Sequence, residues 1–178
     1  MKINVQRFAC LAVLLGLWSC SESESTTGDD ANQKMTSEFE PPADWASFAT
    51  KCSFSFRAPP GTVEESVQGI DSCVTHYTVG ECNLSGDYGG YSDSLTGNVN
   101  QPEYTNEPIR IDGRDATLVR FRTDTDGNGD GSFAAGVHFT RVTSDSDFAV
   151  KFTFYASCDS AAGQATMLDL FKTVDFDD

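Results

Sequence analysis

Basic residues and histidines are scarce in this sequence. It contains 12 lysines and arginines against 27 aspartates and glutamates, and only two histidines, so its formal net charge is −15 at pH 7. A chain this acidic repels the phosphates of nucleic acids and the headgroups of anionic lipids. The composition therefore argues against a nucleic-acid partner and favours cationic or neutral partners.

Long apolar runs are also missing. The run from Phe8 to Trp18 has eleven residues, whereas a membrane-spanning helix needs about 20. A run of this length that follows Lys2 and Arg7 is typical of the apolar part of a signal peptide. The sequence therefore predicts a cleaved signal and not a transmembrane helix.

The residues Leu17, Ser19 and Cys20 resemble the lipobox, the processing signal of bacterial lipoproteins, although Trp18 stands where a small residue is usual. We expect cleavage before Cys20, a lipid anchor (diacylglycerol, palmitate) on that cysteine, and attachment to the membrane of the cell envelope. The residue after the cysteine is Ser21 and not an aspartate, which favours the outer membrane if the cell is Gram-negative. The alternative is an ordinary signal peptide followed by an incidental cysteine.

Behind the cysteine the chain has almost no apolar residue before Phe39 and is rich in Ser, Thr, Glu and Asp. Such a stretch cannot bury enough apolar surface to offset the entropy lost on ordering. We therefore expect a signal peptide over 1–19, a flexible acidic tether over 20–41 and a single folded domain over 42–178. The last segment is long enough to form its own core.

Four cysteines lie in the expected domain. An even number of cysteines in an exported chain predicts two disulfides, and the absence of a CxxC pair argues against a zinc site. A bond between Cys73 and Cys82 would need a turn near Tyr77, but the stronger turn signal is at Gly80. All three pairings stay open among Cys52, Cys73, Cys82 and Cys158.

Alternating apolar and polar residues predict that most of the domain is β-strand. Phe54 and Phe56 share one face of a strand, and two strands flank Gly80. The Asp112-Gly113 pair predicts a tight hairpin. Its second arm places Leu118 and Val119 on opposite faces, so we expect that strand to be buried on both sides. Further strands are predicted over 131–142 and 148–157.

The C-terminal part changes to helical spacing. Ser160 is suited to cap a helix by accepting a backbone N–H bond, and the helix should end near Lys172. Its apolar stripe is expected at Ala161, Ala165, Leu168 and Phe171, with Met167 and Leu170 flanking the stripe.

A short last strand within 173–176 and a short helix over 45–50 are also indicated. Together these elements predict an α+β fold, a mainly antiparallel sheet with the C-terminal helix packed on it.

Several short segments resemble a group of exported bacterial proteins with the PsbP-like α/β/α sandwich. They are FSFRAPPG, GIDS, DYGGYS, IDGRDATLVRF and FKTVDF, which span Cys52 to Phe176. The resemblance implies that sandwich as the fold. It also implies a non-enzymatic accessory or binding role toward an unknown envelope protein or ligand, because domains of this kind typically act in that way.

Motifs of catalysis are missing. The sequence has no GxSxG, HExxH or Walker motif, and His76 and His138 are best interpreted as structural or solvent-facing. Tyr88 and Tyr91, beside two glycines, form either a sugar- or peptide-binding platform or ordinary packing at a strand end. We therefore expect a binding domain and no catalytic residue, with an enzyme of unidentified class as the alternative.

Of all the segments of the chain, DTDGNGDGSF most resembles a ligand-binding motif. From Asp126 onward it matches the first eight positions of an EF-hand calcium loop, but Val137 stands at the twelfth, where the bidentate glutamate belongs. We expect no cofactor. The alternative is a domain stabilised by a weakly bound calcium ion, whereas a plain polar hairpin loop explains the same residues. The candidate ligands are Asp124, Asp126, Asn128 and Asp130.

Overall fold

The computed structural model of the protein describes residues 39–123, 131–143 and 149–177. Ten strands and one α-helix lie in these ranges, and the strands form two sheets. Strands make up 47% and helices 11% of the described chain, in a mostly antiparallel, β-sandwich-like fold. In these ranges no helix combines the length and the apolar character that crossing a membrane requires.

The large sheet has seven strands. They are β3 (Val63–Glu65), β4 (Cys73–Val79), β5 (Cys82–Gly89), β6 (Thr105–Ile111), β7 (Arg114–Arg122), β8 (Phe133–Phe139) and β9 (Lys151–Cys158). Their order across the sheet is β3-β4-β5-β9-β8-β7-β6, and all neighbours are antiparallel.

Both predicted tight turns are confirmed. Gly80 has a φ of 59° between β4 and β5, and Asp112 and Gly113 have φ of 48° and 68° between β6 and β7. Two successive positive φ values give the turn a twist that matches the right-handed twist of the flanking strands. Asp and Gly tolerate positive φ, which is why the Asp-Gly pair is favoured there. The turns set the register of these two hairpins.

The small sheet has three strands, β1 (Ala46–Ala49), β2 (Phe54–Ala58) and β10 (Asp175–Phe176), with β2 in the middle. The short helix predicted over 45–50 is wrong, because β1 pairs with β2 along its whole length. In this strand the ring of Phe48 stacks on that of Phe56, with 5.4 Å between their centroids. The short last strand predicted within 173–176 is confirmed as β10.

Aromatic side chains fill the space between the sheets. Phe54 and Phe56 both point inward, as their spacing in the strand predicts, and each is 1% exposed. The ring of Phe54 lies 4.4 Å from that of Phe152, and the ring of Phe56 lies 5.1 Å from that of Phe154. Each fully buried phenylalanine stabilises the fold by about 1.5–3 kcal/mol relative to exposure, so these rings hold the two layers together.

The helix α1 (Ala161–Phe171) packs on β8 and β9, and the Ser160 side chain caps it by accepting the Gly163 N–H at 3.1 Å. The cap and the end at Lys172 agree with prediction. The predicted stripe is confirmed at Phe171 and in part at Leu168, which is partly buried against the core, and it is wrong at Ala161 and Ala165, which are exposed. The buried side chains are Gln164, Met167, Leu170 and Phe171. The long side chains set the rotation of the helix, since an alanine buries little apolar area.

The predicted α+β class, with the α/β/α layering of a PsbP-like sandwich, is therefore wrong. Much of the inner face of the large sheet is covered by the small sheet, and α1 is the one α-helix in the described ranges. The sequence pattern indicates single strands correctly but says nothing about which sheet each one joins. β1 and β10 are too short to show a period of their own.

Two disulfides are present. Cys52 pairs with Cys73, and Cys82 pairs with Cys158. The first connects the start of β2 to the start of β4 and so joins the two sheets. The second connects residues that are direct partners in the β5–β9 ladder. The prediction of two disulfides is confirmed, and of the three possible pairings this is the one observed.

Candidate functional site

Some residues singled out from the sequence lie outside the described part of the chain. They are the lipidation candidate Cys20 and the calcium candidates Asp124, Asp126, Asn128 and Asp130. Both hypotheses therefore stay predictions. Among the residues that the structure does describe, no group of three or more His, Cys, Asp and Glu side chains could hold a metal ion.

The large sheet has a second face, opposite the small sheet and the helix, which we call the outer face. Residues 92–104 lie across part of it. Leu95 is buried there, 5% exposed, in a cluster with Val119 and Phe121. The strand β7 is thus buried on both sides, as the opposite placement of Leu118 and Val119 predicts.

Side-chain hydrogen bonds to the backbone hold this segment on the sheet. Ser92 Oγ donates to the Asp87 carbonyl, and Thr153 Oγ1 donates to the Asp93 carbonyl, each at 2.5 Å. The Asp93 carboxylate accepts the N–H of Leu95 at 2.8 Å, a local turn typical of aspartate. Leu95 has a φ of 62°, an unfavourable value for leucine that its burial offsets.

A groove of about 300 Å³ lies between this segment and the strands β5 and β9. We call it the outer-face groove. The ladder register places Ser85 beside Tyr155 and Asp87 beside Thr153, because both strands present their odd-numbered side chains to this face. The groove is lined by Ser85, Asp87, Asp93, Leu95, Asn98, Thr153 and Tyr155.

Most hydrogen-bond donors of the lining side chains are already engaged. The Thr153 hydroxyl donates to Asp93, and the Ser85 hydroxyl donates to the Tyr155 carbonyl at 3.5 Å. Asn98 uses an amide hydrogen on the Leu95 carbonyl at 3.1 Å. What the groove offers to a ligand is therefore mainly acceptors, together with the second amide hydrogen of Asn98 and the Tyr155 hydroxyl, whose pKa is raised by burial.

One carboxylate oxygen of a lining residue is buried and has no protein donor. Asp87 Oδ1 exposes less than 1 Å² and makes no hydrogen bond within the described part of the molecule. A buried polar atom left without a partner typically costs about 1–3 kcal/mol, and more when it is charged. Because so little of Oδ1 is accessible, the groove is lined by other atoms of Asp87, and a molecule in the groove does not contact Oδ1 in this conformation.

His138 stands behind the groove wall. It is 4% exposed, and its Nδ1 lies 2.8 Å from Thr153 Oγ1. Since the single Thr153 hydrogen goes to Asp93, Nδ1 is the donor in this contact. Burial, and then the charge of Lys151, lower the pKa of His138 below its ordinary 6.5, although Asp93 opposes the shift. The neutral ring thus positions Thr153.

The other candidates from the sequence do not meet in one site. His76 is exposed on β4, where it pairs with Ser85 in the ladder. Tyr88 packs against Phe152 with 6.2 Å between their centroids, whereas Tyr91 is 86% exposed. The two tyrosines therefore form no common platform.

Three larger cavities lie elsewhere on the described part of the molecule. One, of about 550 Å³ between β6, β7 and α1, includes Arg120, which donates to Thr105 Oγ1 at 3.2 Å, and Lys172, which pairs with Asp169 at 2.8 Å. Another, of about 650 Å³, includes Lys51, which donates to the carbonyl of Val67 at 3.1 Å. The third, of about 330 Å³, also includes Lys51, together with Glu64 and Glu65. We regard the smaller outer-face groove as the candidate site, because six of its seven lining side chains are polar and converge on one concavity.

No pattern in the sequence indicated Asp87, Asp93 or Asn98 as site residues. One signal was available: Gly136 interrupts a strand, and a glycine at such a place often indicates a close approach by another part of the chain. A side chain at Gly136 would lie 2.4 Å from Leu95 Cδ1.

The described residues thus define a β-sandwich-like domain with a polar groove on the outer face of its large sheet. No known family model matches the chain, and no curated protein is significantly similar to it. The resemblance to exported bacterial proteins stays a prediction.

Proposed function

We propose that this chain is an exported lipoprotein whose domain binds a small polar ligand in the outer-face groove and does not convert it. The observation that carries the proposal is the groove itself, a concavity of about 300 Å³ in which six of the seven lining side chains are polar. Small ligands bind preferentially in concave sites on which a few polar groups converge.

The arrangement of side chains supports binding over catalysis. A general base must reach the proton that it removes, but His138 Nδ1 donates to Thr153 and the ring is buried. The Thr153 hydroxyl donates to a backbone carbonyl, so it is engaged structurally and is not activated as a nucleophile. Ligand retention is the function that these contacts suit.

The proposed location comes from the N-terminal residues. A lipid on Cys20 and an acidic tether over 20–41 would hold the domain close to the membrane of the envelope, while its negative charge keeps it off anionic headgroups. In this position the groove would sample small molecules of the envelope.

The test is native mass spectrometry of the purified protein after incubation with a small-molecule extract of its own cell envelope. Ser85→Phe would fill the groove from β5. Asn83→Phe is the matched control, because Asn83 is exposed on the same face of the same strand but does not line the groove.

We expect a bound molecule of unchanged mass on the wild type and on Asn83→Phe, and none on Ser85→Phe. Equal binding to all three proteins would show that the ligand lies elsewhere. Recovery of a chemically altered molecule would contradict the non-catalytic role.

A further inference from the structure

We infer that residues 94–103 form a strap that opens away from the outer face of the large sheet, with Leu95 as the latch that holds it closed. The strap contributes Leu95 and Asn98 to the outer-face groove, so its opening changes the shape of the groove whatever the ligand is. The inference concerns a conformational change of the chain itself and stands apart from the proposed binding function. Four features carry it: the exposure of the strap, its backbone, the slot that Leu95 fills and the bond at its far end.

Most of the strap is exposed to solvent. Leu95 is the one buried residue among its ten, all of which the structure describes, and Asn98 and Gln101 are half-buried. The N–H of Asn98 donates to the Leu95 carbonyl at 3.3 Å, and the N–H of Gln101 donates to the Asn98 carbonyl at 2.9 Å. These bonds lie within the strap and survive when it moves as a unit. A segment that buries so little apolar surface opens at a lower free-energy cost than unfolding of the whole domain.

The closed strap holds two residues in the left-handed region of the backbone. Leu95 has a φ of 62° and Glu103 a φ of 57°. This region brings the Cβ of an L-residue close to the following carbonyl oxygen, and a residue other than glycine occupies it only when its surroundings hold it there. Leu95 is held by its burial, whereas Glu103 is exposed. Opening lets both residues return to a negative φ, so part of the cost of opening is offset.

Leu95 fills a slot that the small residues of β8 leave open. Gly136 has no side chain, and a Cβ there would come within 2.4 Å of Leu95 Cδ1. Ala134, on the same face of β8, adds only a methyl group, and Val119 and Phe121 of β7 lie beside it in the same buried cluster. Burial of a leucine side chain in this slot favours the closed strap. Closure therefore depends on Leu95.

A backbone bond joins the far end of the strap to the sheet. The N–H of Arg122 in β7 donates to the Pro102 carbonyl at 2.8 Å. At the near end, the bond from Thr153 to the Asp93 carbonyl lies just before the strap, so it stays in place when the strap opens. Opening takes Leu95 out of its slot and exposes the Arg122 N–H to water. This amide belongs to the sheet and yet reports on the strap.

The test is native-state hydrogen exchange, followed by NMR on the isotopically labelled mature protein. We expect the Arg122 amide to exchange faster than the amides of β8 and β9, which lie in the interior of the sheet. We also expect its rate to stay constant at low concentrations of denaturant, because a local opening exposes little surface. Exchange through global unfolding accelerates with denaturant instead.

Leu95→Ala shortens the latch, and we expect it to speed exchange of the Arg122 amide at least about tenfold. Glu103→Asn should act in the opposite direction and slow exchange about threefold, because asparagine tolerates a positive φ and so relieves the closed strap. Val99→Ala is the matched control, since Val99 belongs to the same strap and is 60% exposed. The amides of β8 and β9 report separately on the global stability of each variant.

Four outcomes count against the strap. If the Arg122 amide of the wild type exchanges at the rate of β8 and β9, the segment opens only with the whole domain and the inference is overturned. Equal rates in Leu95→Ala and Val99→Ala would overturn Leu95 as the latch. An unchanged or faster rate in Glu103→Asn, which alters an exposed side chain, would overturn the part assigned to the backbone. If Leu95→Ala accelerates the amides of the β6–β7 ladder as much as that of Arg122, fraying of the edge strand β6 explains the exchange and the strap is refuted.

Discussion

Leu95 occupies the space in which a side chain of Gly136 would lie. A Cβ at Gly136 would come within 2.4 Å of Leu95 Cδ1 and 3.2 Å of the Phe154 carbonyl oxygen. The missing side chain in the middle of β8 thus lets the segment 92–104 settle on the outer face. Since Leu95 also lines the groove, the glycine is coupled to the shape of the candidate site.

Gly136→Ala should therefore displace the Leu95 side chain from its buried position. We expect the free energy of unfolding to fall by about 1–3 kcal/mol, the usual cost of an overpacked site, and ligand binding in the groove to weaken. Urea unfolding measures the first effect. Gly97→Ala is the control, because a Cβ there meets nothing within 4 Å. A stable Gly136→Ala protein would show that Leu95 is not held as described.

The sequence predicted the parts of the fold that depend on neighbouring residues. The alternation of Phe54 and Phe56, the Asp112-Gly113 turn and the Ser160 cap each follow from local geometry, and each is confirmed. The fold class and the N-terminal half of the predicted helix stripe were wrong. Both depend on which surfaces meet, such as the contact of Phe48 with Phe56, and no local period encodes that.

The candidate site was beyond sequence reasoning for the same reason. Asp87 belongs to a strand, but Asp93, Leu95 and Asn98 lie in a segment without a period. The bonds from Ser92 to Asp87 and from Thr153 to Asp93 bring that segment to the sheet. The second bond joins residues 60 positions apart in the sequence.

Gln164 connects the helix to the large sheet. Its Nε2 donates to the carbonyls of Phe121 at 3.1 Å and Ala134 at 2.6 Å, which are partners in the β7–β8 ladder. Gln164→Leu should cost about 1–3 kcal/mol in chemical denaturation, since two buried carbonyls lose their donor. Ala165→Leu, on the exposed side of α1, should change stability by less than about 0.5 kcal/mol. The opposite ranking would mean that the helix is rotated.

The two disulfides should leave no free thiol among their four cysteines when the denatured, unreduced protein is titrated. They should also differ in how much they stabilise the folded protein. The Cys82–Cys158 bond spans 76 residues and the Cys52–Cys73 bond 21. Because a longer closed loop removes more entropy from the unfolded chain, losing the former should cost about 1 kcal/mol more. Paired Cys→Ala variants, compared by thermal unfolding, provide the measurement.

His138 should make the domain less stable in mild acid. The pKa of His138 is lowered in the folded state, chiefly by burial, so the unfolded chain takes up the proton first. The free energy of unfolding should thus fall as the pH drops below about 6.5 and level off below the folded pKa.

The variant His138→Asn should remove this slope, because asparagine keeps a donor for Thr153 but does not titrate. Exposed His76→Asn should leave the slope unchanged. Denaturant unfolding of the three proteins across pH 5 to pH 8 decides the matter (about 1.4 kcal/mol for each unit of pKa difference). A slope that persists in His138→Asn would assign it to another group.

Lipidation at Cys20 should decide where the protein resides. One acyl chain gives only marginal membrane binding, whereas diacylglycerol with a further chain anchors stably. Cys20→Ser should therefore leave the protein unprocessed or release it from membranes, and intact-mass analysis of the wild type should show a lipid-modified Cys20 as the first residue. Cys10→Ser is the matched control, because Cys10 lies in the predicted signal peptide and should not affect anchoring. Trp18→Ala should accelerate processing, since a small residue is usual at that place. A soluble wild-type chain that begins at another residue would refute the proposed anchor.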